Sequence, residues 1–279
     1  MLDFESLAIA DAYEWLGTGS SAGRYLSVNQ STISRNQKKF KALSNQLEEA
    51  DCLDLLSMER LIHQRWRFQQ GRDLRLHAFR WMNGLIARPS LEGWKVNPPS
   101  VSRTKKAILD LVEELIIDAA CAPYPVIATA DKEIFAIIPL YRSHLQVLAC
   151  SEFSHLDEKG LSPSDISSLT TPAHLPFVPK EAVQCIAQLD AMQFSSSSRV
   201  NLMPSELYCR YWGMPLTPLI AHNLRALDYN TSIPYEEYLV VRKEWAGHPH
   251  VSALRQNLIH SLNRALVNFD IRGELEVVA

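Results

Sequence analysis

The chain has 279 residues and is 47% apolar, which is enough to bury a core in one or two domains and excludes a disordered chain. It has no apolar run of about 18 to 20 residues, and Met1, Leu2, Asp3 and Phe4 do not make the charged and apolar start of a secretory signal. A membrane span is therefore not expected, and the chain is expected in the cytoplasm. The formal net charge of −3 hides an asymmetry: residues 1–88 carry 12 Lys plus Arg against 10 Asp plus Glu, or +2, and the remainder carries 16 against 21, or −5.

In chain order, the first predicted helix covers 4–16, where Phe4, Leu7, Ala8, Ala12 and Trp15 recur near helical spacing and give one apolar stripe. Gly17 and Gly19 end it, and Thr18 or Ser20 can cap a second short helix over 21–26. Ser27, Val28 and Asn29 form a tight turn, and a third helix follows over 30–43 with Ile33, Phe40 and Leu43 on its inner side. Two short helices joined this closely must cross steeply, which pushes the first turns of the later helix outward. The charge in this stretch is one-signed. Between Glu14 and Glu48 there is no acidic residue, whereas Arg24, Arg35, Lys38, Lys39 and Lys41 supply five positive charges. A local positive face of this kind suits docking on a polyanionic duplex, although a solvated helix face would show the same charges.

The residues Thr18-Gly19-Ser20-Ser21-Ala22-Gly23-Arg24-Tyr25-Leu26, followed by Val28-Asn29-Gln30-Ser31-Thr32-Ile33-Ser34-Arg35, resemble the N-terminal helix-turn-helix of LysR-type transcriptional regulators. The resemblance implies an α/β protein. It would have a winged helix-turn-helix domain over 1–56, a linker helix over 57–83 that pairs subunits into a homodimer or homotetramer, and a two-lobed periplasmic-binding-protein-like effector domain over 84–279. Gly23 stands where the family has Ala, Ser31 where it has Pro, and Gln37 where it has an apolar residue. Gly23 and Gln37 are expected to loosen the helix packing, the glycine by about 1 kcal/mol. For double-stranded DNA, the positions facing base edges would be Gln30, Ser31, Thr32 and Arg35, since Gln pairs with adenine and Arg with guanine. Ser20, Ser21, Ser34, Lys38 and Lys39 suit phosphate contacts.

The family's wing would fall at 47–55, with Leu47, Leu53 and Leu55 as strand residues and Glu48, Glu49 and Asp51 at an acidic tip that repels phosphates. Three outcomes stay open: the wing turns away from the duplex, the third helix binds alone, or binding is weakened. The linker segment carries Met58, Leu61, Ile62, Trp66, Leu74, Phe79 and Met82 as apolar members, with Gly71 as an interruption. It also carries a row of arginines at 60, 65, 67, 72, 75 and 80, suited to flanking phosphates or to the acidic C-terminal part. A helix lying on its own domain is the alternative to a dimerising one.

Beyond the glycine- and proline-marked boundary at 84–99, strand-like and helix-like segments alternate. A weak strand is expected at 91–97, a helix at 105–117, apolar β-rich segments at 125–129 and 133–140, and a strand at 145–150. Helices follow at 179–189 and 216–226, then a strand at 238–242 and a helix at 251–269. Such alternation predicts a largely parallel sheet. The resemblance implies a small-molecule effector, a carboxylate suiting the hydroxyls of Ser100, Ser102 and Thr104 at a helix start, although plain capping explains them equally. Ser195 to Ser198 would line the opposite lobe or form a loop.

An enzyme is not expected: the nine histidines form no HExxH pattern and no serine lies in GxSxG. Neither a cofactor nor a metal site is expected. The five cysteines stand singly, and His248-Pro249-His250 reads as a loop. The alternatives to a DNA-binding, small-molecule-sensing regulator are the same fold with an effector part that only oligomerises or binds a protein, and an α/β binding protein or enzyme that does not bind DNA.

Overall fold

The computed structural model describes residues 4–44, 49–78, 82–83, 91–98, 107–150, 207–211, 224–268 and 276–277. The chain divides into two compact units, the first comprising Met1–Ala122, Thr129–Ile138 and Leu239–Ser261, the second Pro123–Ala128, Pro139–Tyr238 and Leu262–Ala279.

The first unit begins with α1 (Phe4–Leu16), α2 (Gly19–Leu26) and α3 (Gln30–Ser44), in the expected order. The single apolar stripe expected for α1 is too narrow a description, because α1 is buried on two sides. Ile9 and Ala12 pack with Ala22 of α2 and Ile33 of α3. Asp11 and Trp15, both fully buried, make hydrogen bonds to residues 60, 75 and 77.

The next helix corrects two expectations. Residues 49–55 form no wing strand; they are the first turns of α4 (Glu49–Gln70). No β-branched residue occurs between Leu47 and Leu61, and Glu48, Glu49 and Asp51 favour the positive end of a helix dipole. The helix also stops before the expected residue 83. Gly71 takes φ 60°, the Arg72 N–H bonds to the Arg67 carbonyl at 3.3 Å, and the left-handed glycine closes the last turn. A strand, β1 (Leu74–Ala78), follows at once.

Strand β1 pairs in parallel with β2 (Trp94–Val96), Leu74 opposite Trp94, and with β3 (Ala119–Pro123), Leu76 opposite Ala119. Helix α5 (Ile108–Glu113) leads into β3. Every residue of β1 and β3 is buried, as in a sheet covered on both faces. In sheet order β3 is followed by β6 (Leu224–Arg242) and then β4 (Phe135–Cys150). A short 3-10 turn at Lys243–Trp245 then leads to α7 (Pro249–Asn268). Trp245 stacks on Phe68 of α4 with centroids 4.0 Å apart, and its indole N–H donates to Gln64 at 2.8 Å.

In the second unit the β-rich reading of 125–129 gives way to a helical turn, α6 (Tyr124–Ile127), where Pro125 in the first turn is pre-set for helix. The expected strand at 145–150 is the end of β4. It pairs antiparallel with β5 (Leu207–Tyr211), Leu145 opposite Tyr211, and β4 also pairs antiparallel with β7 (Glu276–Val277). The sheet is therefore parallel at β1, β2 and β3 but not around β4. The helix expected at 179–189 lies outside the described residues. So does most of the one expected at 216–226, whose last three residues belong to β6.

Candidate nucleic-acid interface

The helix-turn-helix is built from local hydrogen bonds. The Thr18 hydroxyl caps α2 by accepting the Ser21 N–H at 3.1 Å and donates to the Ser21 hydroxyl at 3.0 Å. Ser27 ends α2 in the left-handed region at φ 58°. The Val28 N–H then bonds to the Gly23 carbonyl at 2.9 Å, and the Asn29 carbonyl receives the N–H groups of Thr32 and Ile33 as α3 starts. This turn explains Gly23. A Cβ there would stand 2.7 Å from the Val28 carbonyl oxygen, so the glycine permits the close approach of turn and helix and is not a packing defect. Gln37 is half-buried, and its buried Nε2 has no hydrogen-bond partner among the described residues.

Helix α3 buries Ile33 completely and turns its opposite face outward. Gln30, Ser31, Ser34, Arg35, Lys38 and Lys39 are exposed and Thr32 is half-buried. Among the described residues Arg35, Lys38 and Lys39 have no ion-pair partner. Ser20 is exposed on α2, as are Arg24 beside it and Asn29 at the turn, two positions that the sequence pattern did not single out as contacts. Ser21 is a correction: it is buried and its hydroxyl is taken by the Thr18 cap, so it does not face outward. Ser100, Ser102, Thr104 and Ser195 to Ser198 lie outside the described residues.

Behind this surface lies a buried cluster of charges absent from the sequence reading. Asp11 of α1 accepts from Arg60 Nε at 2.9 Å and Arg75 Nη1 at 3.3 Å, and Arg60 also bonds Glu114 at 3.1 Å. Asp118 holds Arg67 in a bidentate pair at 2.8 and 2.7 Å and accepts the Arg75 backbone N–H at 2.8 Å. Trp15 Nε1 donates to His77 Nδ1 at 3.1 Å; complete burial pushes the His77 imidazole down to about 3, so it is neutral at pH 7. His63, buried on α4, is pushed down to about 4 by burial against an opposing pull from Asp11. The arginines expected on an outer basic face thus divide: Arg60, Arg67 and Arg75 point inward and Arg65 and Arg72 outward. A signal was present, since Leu56, Arg60, His63 and Arg67 recur at helical intervals on one face of α4.

The other face of α4 is apolar and uncovered among the described residues. Leu55, Met58, Ile62 and Trp66 are 43, 65, 55 and 39% exposed at spacings of three and four. No group of three or more His, Cys, Asp or Glu side chains is placed to hold a metal among the described residues. The His248 and His250 rings lie 5.1 Å apart and tilted by 31°, the His250 backbone N–H donating to His248 Nδ1.

No protein-family model matches this chain, and no curated sequence matches it either. Solved structures do. A cysteine mutant of OxyR from Corynebacterium glutamicum matches with a TM-score of 0.50 at 15% identity, over 96% of this chain and 95% of that one. The chain shares the fold of that OxyR structure. Full-length CbnR complexed with its target DNA aligns over 95% of this chain and 100% of its own at 13% identity, with a TM-score of 0.47. ArgP from Mycobacterium tuberculosis aligns over 94% and 98% at 13% identity, also with a TM-score of 0.47. The chain places α1 to α3, β1, β2 and residues 119–122 of β3 in one compact unit. No described helix is long and apolar enough to cross a membrane.

Proposed function

We propose that this chain is a DNA-binding transcriptional regulator, not an enzyme. The observation that carries the reading is α3: a helix set off from α2 by a tight turn, with exposed Gln30, Ser31, Ser34, Arg35, Lys38 and Lys39 and no carboxylate on that face. In this reading Gln30, Ser31, Thr32 and Arg35 meet base edges in the major groove. Ser20, Ser34, Lys38 and Lys39 hold phosphates, and no wing supplements them. The domain scheme then shifts. Residues 4–44 are the reading head, α4 is the pairing helix through Leu55, Met58, Ile62 and Trp66, and the effector part begins at β1, not at residue 84. Sensing of a small molecule by that part, with Ser100, Ser102 and Thr104 as carboxylate contacts, rests on the fold resemblance.

The test is binding to a selected duplex followed by fluorescence anisotropy. Arg35→Ala is expected to weaken cognate binding by about 1 to 3 kcal/mol and to relax sequence preference at one position, and Lys38→Ala to weaken all sequences alike and lower the salt slope by about 1. Unchanged cognate affinity for Arg35→Ala would remove the reading-helix assignment.

A further inference from the structure

The geometry points to a binding site for a small aromatic carboxylate in a cavity of about 520 Å³ that α1 and α2 share with α4 and the β1–β2 edge. The size is within the range of about 300 to 1,000 Å³ usual for small-molecule sites.

Its walls are apolar and aromatic: Ala8, the ring of Tyr25, Leu26, the neutral His63 and Trp66. Its buried charged lining is Arg67 and Arg75, with side chains only 4 and 6% exposed, while Glu5, Asp73 and Lys95 line its more exposed part. Both guanidiniums are only partly used. Arg67 engages Asp118 and the Leu115 carbonyl through Nε and Nη2. Arg75 engages Asp11 and the Ile116 carbonyl through Nη1. Nη1 of Arg67 and Nη2 of Arg75 therefore keep donors with no protein partner among the described residues.

The unused guanidinium edges, not a surplus of charge, point to an anion. Arg60, which does not line the cavity, is matched by Asp11 and Glu114, Arg67 by Asp118, and Arg75 shares Asp11. Glu114, on Arg60, is 36% exposed, and at the cavity rim Lys95 and Asp73 neutralise each other at 2.6 Å. One carboxylate can meet the two open guanidinium edges, Nη1 of Arg67 and Nη2 of Arg75, and charge-assisted bonds of this kind are the strong ones. The aromatic walls select a flat apolar body over a bare inorganic anion. Because Ala8, Tyr25 and Leu26 belong to the reading head while Arg75 and Lys95 belong to the sheet, an occupant holds the two together and favours the packed state. Ligand binding itself does not depend on the proposed DNA-reading role; only that consequence does.

The experiment is isothermal titration of the intact chain, without DNA, against 1-naphthoate, its neutral isostere 1-naphthamide, and inorganic sulfate. The expected result is one saturable naphthoate site per chain, at least tenfold weaker binding of naphthamide, and no saturable sulfate binding. Arg75→Met risks misfolding, so the cavity is filled instead: Ala8→Phe is expected to abolish naphthoate binding while leaving the ligand-free melting temperature at or above that of the parent. No saturable naphthoate binding up to about 5 mM, equal binding of the amide, or undiminished binding by Ala8→Phe overturns the proposal. Because DNA is absent, failure here is distinct from failure of the Arg35→Ala test.

Discussion

Asp11→Ala is the substitution that most directly challenges the packing of α1 against α4 and β1. In the native protein this fully buried carboxylate accepts from Arg60 at 2.9 Å and from Arg75 at 3.3 Å, both guanidiniums being nearly as buried. Its removal leaves two inward-facing cations with reduced compensation, a class of change that costs about 3 to 5 kcal/mol. Two contacts blunt the loss, since Arg60 retains Glu114 at 3.1 Å and Arg75 retains the Ile116 carbonyl at 2.8 Å. The expected cost is therefore at the low end, about 3 kcal/mol. For a chain of this length it corresponds to a fall in melting temperature of about 6 to 12 °C. The assay is thermal and urea denaturation followed by circular dichroism, with Asp11→Asn as the milder control that keeps an acceptor. A loss of less than about 0.5 kcal/mol, the range of an ordinary surface change, would refute the reasoning, because it would mean that Asp11 is hydrated and that α1 is not packed against α4 and β1.

Other outcomes follow from the same structure. Gly23→Ala, which helix propensity alone would make stabilising by about 0.8 to 1 kcal/mol, is expected to be destabilising, because its Cβ meets the Val28 carbonyl at 2.7 Å; a raised melting temperature would refute the close turn. Stability is expected to fall on acidification. His77 and His63 are pushed down to about 3 and about 4, so below about 6.5 they protonate first in the unfolded chain, and each then removes up to about 1.4 kcal/mol per pH unit until its folded value is reached. Urea midpoints between pH 7.5 and 5 check this, and a flat profile would show that the imidazoles are charged or hydrated. Ile62→Glu, placed in the exposed stripe of α4, is expected to turn a dimer into monomers in sedimentation at micromolar concentration with little change in the monomer's own stability.

How far the sequence could be read differs between neighbouring segments, for physical reasons. The order of α1, α2 and α3 was legible because glycines, a threonine cap and apolar spacing are local signals. The exposed side of α3 was legible too, since Ile33 marks its inner face and polar residues its outer one. The wing was misread because a family pattern was laid over 47–55 against its own helical composition. The end of α4 was misread although Gly71 announced it: the strand behind it, Leu-Arg-Leu-His-Ala, carries Arg75 and His77 at alternate positions and looks half-exposed, yet all five residues are buried. Only a partner from elsewhere in the chain makes that burial possible, and Asp11, Asp118 and Trp15 lie 64, 43 and 62 positions away.

By itself, then, the sequence determined the α/β class, the helix-turn-helix and the basic face of α3, all of which depend on residues within a few turns of one another. Tertiary structure alone decided which arginines face inward, why position 23 is glycine, and that Arg67 and Arg75 line a cavity shared by α1, α2, α4 and the β1–β2 edge. Each of these depends on which distant groups meet. A buried charge is tolerable only where its counter-charge is delivered, and that delivery is a property of the fold, not of the local chain.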